Sequence, residues 1–177
     1  DLAGSVFTHS FGRMGSLRFD ANNELMLVDI VDDRLRLWRL VDATLCQEYV
    51  LSDLPAFRVM MSHDCNTLAI LTIEHQLILV DLAAQRQLSP LRAHAHPIWR
   101  YCFSPDDRWI LSGDTSGLVC VWDCQSGQLV QKYQLAHQAI TGLAMAPDGV
   151  TLAAATVDGT VYLWSLVNDG PLHTLHG

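Results

Sequence analysis

Apolar residues come in short alternating runs that polar turn residues separate, and no long window shows helical spacing. Three of these runs end in tryptophan, at Trp38, Trp122 and Trp164. Trp164 follows Trp122 by a 42-residue step, Trp122 follows Trp38 by two such steps, and Val80 ends a similar run at the midpoint. Alternating runs bounded by turns are typical of strands. The pattern therefore predicts four units that repeat at this step with no net insertion.

Each unit is predicted to hold three clear strands and a fourth, weaker one. The first run of the units ends at Phe19, Met61, Phe103 and Met145, which also follow the 42-residue step. Turn residues come next, and segments 104–107 and 146–149 carry Pro followed by Asp, as tight turns favour. A second apolar run and the run that ends in Trp or Val80 complete the triplet. This order predicts an all-β chain.

The repeat carries a recognisable set of residues. One unit ends in Trp-Asp, the last ends in Trp-Ser after an Asp-Gly turn, and a histidine precedes the first strand of the last two units. In these features the chain resembles the WD-repeat β-propeller family, whose repeats form blades of four antiparallel strands. The resemblance implies four blades that are part of a larger propeller of about seven. The residues of the repeat signature are Trp38, His94, Ser112, Trp122, Asp123, His137, Asp158, Gly159 and Trp164.

The chain departs from the family pattern in the polar network that often ties a blade together through His, Ser or Thr, Trp and Asp. In the third unit Ser116 stands where the turn Asp is expected, and in the fourth Ala154 stands where the hydroxyl is expected. The first two units diverge further. We therefore expect an incomplete network and blades that are held mainly by apolar packing.

The same alignment gives boundaries for the repeats. A blade is apolar on both faces and needs a neighbour on each. We expect either a portion of a larger propeller or a half-propeller that pairs with a copy or another chain, so that missing blades or another chain cover the end blades. The predicted ranges are 1–12 for the outer strand of a preceding blade, 13–51 for blade 1, 52–93 for blade 2, 94–135 for blade 3 and 136–177 for blade 4.

The charge and the cysteine content of the chain argue against some classes of function. The chain has 19 acidic and 11 basic side chains and a formal charge of −8, which argues against binding to nucleic acid or to anionic membranes. No apolar run approaches the ~18 residues of a membrane span. The alternating Arg34, Arg36 and Arg39 are interpreted as a solvated outer face. Five cysteines without a CxxC pair predict reduced thiols and a cytoplasmic protein.

The sequence lacks recognisable motifs for catalysis, phosphate binding or metal binding. The sequence contains no Gly-rich phosphate loop, HExxH or GxSxG motif. Eight histidines are present, but no carboxylate or thiol stands near His94 and His96 in sequence to complete a metal site. We therefore expect no enzyme activity, no cofactor and no metal.

Binding of proteins or peptides is the predicted function. Phe57-Arg58 and Trp99-Arg100 are one 42-residue step apart at the start of the innermost strands of two neighbouring units, and would form one patch. Trp and Arg are frequent anchors of protein partners. Arg13 and His96 would rim the patch. The alternative is that Phe57 and Trp99 fill space between the blades.

A rigid scaffold or adaptor within a larger complex is the function that these features favour. The resemblance leaves a second possibility open, a sensor or autoinhibitory repeat region of a multidomain signalling NTPase. A third is an enzyme-associated domain with a site of its own.

Overall fold

A computed structural model describes residues 13–20, 22–32, 34–50, 56–168 and 170–176, and these ranges contain strands and no helix. The prediction of an all-β chain is confirmed. The outer strand that was predicted over 1–12 lies outside the described residues. The strands are β1 (Arg13–Phe19), β2 (Leu25–Val31), β3 (Arg34–Arg39), β4 (Thr44–Val50), β5 (Ala56–Met61), β6 (Thr67–Thr72), β7 (Leu77–Asp81), β8 (Arg86–Gln87), β9 (Ile98–Phe103), β10 (Trp109–Asp114), β11 (Leu118–Asp123), β12 (Leu129–Gln134), β13 (Ile140–Met145), β14 (Thr151–Thr156), β15 (Val161–Ser165) and β16 (Gly170–Leu175).

Four consecutive strands at a time form one antiparallel sheet, in chain order. We call these sheets blade 1 (β1–β4), blade 2 (β5–β8), blade 3 (β9–β12) and blade 4 (β13–β16). The predicted weakness of the fourth strand is most evident in blade 2, where β8 is two residues long and a further bridge joins Leu77 to Leu91. The prediction of four-stranded blades is confirmed.

The backbone repeats with the same step as the sequence. The turn between the first and second strands holds a residue in the left-handed region in every blade, and these residues follow the 42-residue step. In blades 1 to 3, the turn between the third and fourth strands also holds a residue in the left-handed region, again at the 42-residue step. Glycine fills only some of these places, so the fold and not the residue type imposes the conformation. The first set is Asn23, Cys65, Asp107 and Gly149, and the second is Ala43, Gln85 and Gly127.

The hydrophobic core lies between the blades. One cluster joins blades 1 and 2 through residues such as Val28 and Ile70. A second joins blades 2 and 3 around Leu79 and Trp122, and a third joins blades 3 and 4 around Val121 and Leu152. Each inner blade is therefore buried on both faces, which is why its strands read as nearly continuous apolar runs.

Candidate protein-interaction surface

A buried polar network joins three parts of blade 3. Trp122 Nε1–H on β11 donates to Ser112 Oγ on β10 at 2.8 Å. His94, in the segment that leads into β9, places Nε2 at 2.7 Å from the same oxygen and Nδ1 at 2.7 Å from Asp114 Oδ2. The side chains of His94 and Asp114 are 3% and 0% exposed. With a proton on Nδ1, His94 donates to Asp114 and accepts from Ser112, so every one of these groups has a partner.

The expectation that Ser116 leaves blade 3 without a carboxylate is wrong. Asp114, at the end of β10, supplies it two residues earlier in the chain. The backbone N–H and hydroxyl of Ser116 donate to Asp114 Oδ1 at 2.8 and 2.7 Å. Burial raises the pKa of Asp114, but the hydrogen bonds from His94 and Ser116 together outweigh it, and the pKa lies below its ordinary value. The network of blade 3 is therefore complete.

In blade 1 a carboxylate accepts the hydrogen bond from the tryptophan N–H. Trp38 Nε1–H donates to Asp29 Oδ1 at 3.0 Å, and Arg36 Nε–H donates to the same oxygen at 2.9 Å. The register sets Asp29 opposite Arg36, as it sets Ser112 opposite Cys120 in blade 3. Asp29 therefore takes the structural place of Ser112. Arg36 is only 21% exposed on its side chain, so the interpretation of this arginine as part of a solvated face is wrong.

Blades 2 and 4 have no such acceptor. In blade 2 both places are apolar, with Ile70 for the acceptor and Val80 for the tryptophan. In blade 4 Ala154 stands at the acceptor place, as the sequence indicates. The buried Nε1 of Trp164 has no hydrogen-bond partner among the described residues. An unpaired buried donor costs free energy, so the Ala154 site is a local weakness of blade 4.

The remaining signature residues of blade 4 lie in turns. His137 is exposed in the segment before β13. Asp158 accepts from Thr156 Oγ1 at 2.6 Å and from the Thr160 N–H at 3.1 Å, within the turn where Gly159 has a φ of 85°. Asp158 therefore stabilises its own turn.

Aspartates also fix the opposite end of the sheets. Asp123 Oδ1 accepts from the backbone N–H and the hydroxyl of Ser126 and closes the turn after β11. Asp107 reaches from blade 3 to blade 2, where it accepts from the backbone N–H groups of His63 and Asp64 at 2.9 and 2.8 Å. Its Oδ1 is also 2.7 Å from His63 Nδ1. This carboxylate ties the two blades together.

A groove of about 280 Å³ lies between blades 2 and 3, at the end of the sheets away from Asp107. We call it the aromatic groove. Phe57 and Trp99 line it and are 55% and 42% exposed. Arg58 and Arg100 also line it, so the structure brings together four of the residues that the sequence predicts as partner contacts. Leu71, His75 and Ile98 complete the lining.

Arg100 is held by the backbone. Its Nε–H donates to the Thr141 carbonyl of blade 4 at 2.6 Å, and its Nη1 donates to the Trp99 carbonyl at 2.8 Å. The guanidinium thus links blade 3 to blade 4 beside the exposed ring of Trp99. Arg100 serves this surface chiefly as a positioning residue.

A second groove of about 420 Å³ adjoins the first and shares His75 and Ile98 with it. We call it the histidine groove, because His94 and His96 also line it together with Arg92. His96 is exposed there, at the edge of the same seam between blades. Arg13 opens β1, but its side chain lies outside the described part of the chain.

Comparison with known proteins supports the architecture. A family model described as "WD domain, G-beta repeat" matches residues 85–123 and 127–165. WD repeat-containing protein 36 of Homo sapiens is 27% identical over 177 residues, which is 95% of this chain. The chain therefore carries repeats of the WD-repeat β-propeller family in these two segments. The two matched segments end at Asp123 and Ser165, the residues that follow Trp122 and Trp164.

The WD-repeat relatives are longer than this chain. The human protein is matched over 19% of its length. Target of rapamycin complex subunit wat1 of Schizosaccharomyces pombe is 22% identical over 90% of this chain and is matched over 51% of its own length. The chain therefore spans from about a fifth to about half of these curated relatives.

A solved structure shows the same fold. The crystal structure of the Cps50 (Swd1) β-propeller domain of Myceliophteria thermophila aligns with 93% of this chain and 58% of that chain, with a TM-score of 0.73. The two sequences are 16% identical, so the likeness concerns the WD-repeat fold alone.

Some residues of this surface were missed in the sequence. His75 lines both grooves, yet it lies in the turn after β6, which the 42-residue step identifies only as a turn. Its repeat equivalents are Gly117 and Gly159, and all three have positive φ. A histidine at the place where blades 3 and 4 carry glycine is the signal that could have indicated it.

The described ranges contain no group of three or more His, Cys, Asp or Glu arranged to hold a metal ion. In the same part of the chain, no helix has the length and apolar character needed to cross a membrane.

Proposed function

We propose that this WD-repeat chain is a non-catalytic protein-interaction scaffold whose partner docks on the aromatic groove between blades 2 and 3. The observation that carries the proposal is the pair of exposed aromatic rings, Phe57 and Trp99, that two neighbouring blades present in one groove beside Arg58. Aromatic and arginine side chains in a groove are the commonest anchors of protein interfaces.

Exposure favours this role over packing. Val59 on β5 and Tyr101 on β9 lie in the cores between the blades and are 3% and 4% exposed. Phe57 and Trp99 stand two residues before them on the same strands, yet about half of each side chain is in contact with solvent. Rings that filled the space between blades would be as buried as Val59 and Tyr101.

The frame around the groove is suited to a scaffold. Asp107 fastens blade 2 to blade 3, Arg100 fastens blade 3 to blade 4, and the network around Ser112 fixes the segment before β9. A partner that binds to a preformed surface loses less free energy to ordering of the protein. One relative, wat1, is a Target of rapamycin complex subunit, which supports a role inside an assembly.

The test is a double substitution, Phe57→Ala with Trp99→Ala, in the full chain used as bait. The matched control is Val41→Ala with Val130→Ala, because these valines are also exposed, at 61% and 48%, but lie on other parts of blades 1 and 3. We expect loss of specific partners, identified by mass spectrometry, in the first variant alone, with urea unfolding unchanged in both. Partners that survive together with a fall in stability would assign the two rings to packing.

We propose further that additional blades or another chain cover the outward face of blade 4. In blade 3 the residues that face blade 4, Val119 and Val121, are 0% and 4% exposed. Their repeat equivalents Val161 and Leu163 are partly exposed, and Leu175 is 56% exposed. Light scattering should find the isolated chain self-associated, and a stable compact monomer would contradict this proposal.

We propose the cytoplasm as the location of the chain. Its five cysteines are free thiols, and Cys120 and Cys124 are buried, as suits a reducing compartment. Imaging of a tagged protein tests this, and a signal confined to another compartment would overturn it.

A further inference from the structure

The two grooves at the seam of blades 2 and 3 concentrate positive charge in an acidic protein. The chain as a whole carries a formal charge of −8. Among the described residues that line the grooves, Glu74 alone is acidic, and the nearby carboxylate of Asp114 is buried and bound to His94. The basic and imidazole side chains that line the grooves are Arg58, Arg92, Arg100, His75, His94 and His96.

Two of the arginines are available to a ligand. Arg58 and Arg92 are exposed, and neither forms an ion pair within the described residues. Arg100 is different, because backbone carbonyls already hold its guanidinium. The seam therefore offers one unpaired arginine in each groove.

Two buried polar atoms at the same seam also lack partners among the described residues, Nδ1 of His75 and the hydroxyl of Tyr101. Tyr101 belongs to the core cluster between blades 2 and 3 that also contains Leu71 and Ile98, two residues of the groove lining. Burial raises the pKa of Tyr101, and the positive charge of Arg58 lowers it in part. An unpaired buried donor is expected to gain from an acceptor that a ligand brings.

We propose that this seam binds an acidic peptide segment that carries one large apolar side chain. The apolar side chain lies in the aromatic groove between Phe57 and Trp99, and flanking carboxylates pair with Arg58 and Arg92. The inference rests on the proposed function and specifies its partner. Charge complementarity supplies the selectivity, because an acidic segment is attracted to the seam and repelled by the rest of the surface.

A nucleic acid fits the seam less well. Proteins that bind its phosphate backbone typically neutralise several phosphates, about 6–10 for a tight complex. The seam offers two unpaired arginines, and the net charge of −8 repels a long polyanion. A peptide needs only a few carboxylates to match the same groups.

The experiment is a selection of displayed random twelve-residue peptides on the full chain at physiological salt. We expect enriched peptides to combine an aromatic or large aliphatic residue with neighbouring Asp or Glu. The strongest, labelled with fluorescein, should lose at least about tenfold in affinity when Arg58→Glu and Arg92→Glu are combined, and should bind more weakly as salt rises.

The control reverses the same charge elsewhere on the same two blades. Arg86→Glu with Arg108→Glu alters the groove at the opposite end of the sheets and should change the affinity by less than about twofold. Peptides without acidic residues, or affinity that Arg58 and Arg92 do not affect, would overturn the inference. Tighter, arginine-dependent binding of a poly(U) probe would overturn it in favour of RNA.

The same peptides also show which proposal fails, docking on the aromatic groove or the preference for acidic peptides. If the enriched peptides are acidic and depend on Arg58 but ignore Phe57→Ala with Trp99→Ala, the acidic preference stands and the aromatic groove is not the anchor. If they depend on the two rings but carry no acidic residues, the interaction surface stands and the acidic-peptide inference fails.

Discussion

Blades 3 and 4 share a repeat frame and differ in how the tryptophan is held. Gly117 and Gly159 occupy the same turn place with φ values of 86° and 85°, and both blades carry a tryptophan as the second-last residue of their third strand. In blade 3 Ser112 Oγ accepts from Trp122 and lies beside His94 Nε2, whereas in blade 4 the Trp164 N–H is buried and unpaired within the described residues. By the 42-residue step, Ala136 and Thr156 stand in blade 4 where blade 3 has His94 and Asp114, so blade 4 lacks the histidine and the carboxylate of this network as well as the hydroxyl.

The comparison teaches that apolar packing is enough to form a blade and that the polar network adds a local fastening. Blade 2 has neither the tryptophan nor the acceptor and still buries nearly all of β6 and β7. The fastening is present in blade 3, which carries half of the proposed binding surface. We infer that the network serves to fix the segment around His94 at the seam more than to specify the fold.

The largest expected effect concerns the shared glycine. In Gly117→Ala the new Cβ would lie 2.4 Å from the carbonyl oxygen of Ala136, in addition to the strain of a positive φ. We expect a loss of about 2–5 kcal/mol in the free energy of unfolding. Gly159→Ala has the same φ strain but open space around the Cβ, so about 1–2 kcal/mol is expected. Urea unfolding of both variants measures the difference, and equal losses would contradict the contact with Ala136.

The second effect concerns the Ser112 hydroxyl, which Trp122 and His94 share. Ser112→Ala leaves both Trp122 Nε1 and His94 Nε2 without a partner, and we expect a loss of about 2–4 kcal/mol by urea unfolding. Ser126→Ala in the same blade removes an exposed hydroxyl that donates to Asp123 and should cost less than about 1 kcal/mol. If the two variants were equally stable, the buried network would have no special role.

The third effect is a dependence on pH. The pKa of Asp114 is lowered in the folded state, so its contribution to stability is present above the unfolded pKa of about 3.9 and disappears as the pH falls through the lower folded value. Asp114→Asn should therefore cost about 1–3 kcal/mol at pH 7, and the gap to the natural chain should narrow below about pH 4. Unfolding measured from pH 7 to pH 2 checks this, and a gap that widens in acid would refute the assignment.

The smallest effect has the opposite sign. Ala154→Ser introduces into blade 4 the acceptor that Trp164 lacks, and we expect a gain of about 0.5–1.5 kcal/mol in the free energy of unfolding. Ala155→Ser, one residue further along β14, is the control, because its side chain points to the other face of the sheet. A loss of stability in Ala154→Ser would show that the site has no room for the hydroxyl.

The 42-residue step was sufficient to predict the strands and the pairing of Phe57 with Trp99, because both follow from periodicity alone. The step was not sufficient to predict which polar residue accepts the hydrogen bond from the tryptophan. Trp38 pairs with Leu27 in blade 1 and Trp122 pairs with Ile110 in blade 3, so the hairpin of β2 and β3 is one residue shorter than its equivalent. The step therefore points to Val28, while Asp29 occupies the acceptor place.

The 42-residue step could not predict long-range contacts between side chains either. The carboxylate of Asp114, at the end of β10, contacts His94 in place of the one expected at Ser116. The bond from Arg100 to the Thr141 carbonyl depends on how two blades pack, and no local pattern encodes it. Periodicity predicts which residues share a face, and packing decides which of them meet.

The most direct test of the account is amide hydrogen exchange of the full chain with and without the strongest selected peptide. The account predicts that the peptide adds protection at the starts of β5 and β9, in the turn after β6 and in the segment around His94, with little change in blade 4. Protection confined to the outward face of blade 4, or to the groove at the opposite end of the sheets, would contradict the central claim that partners bind at the seam of blades 2 and 3.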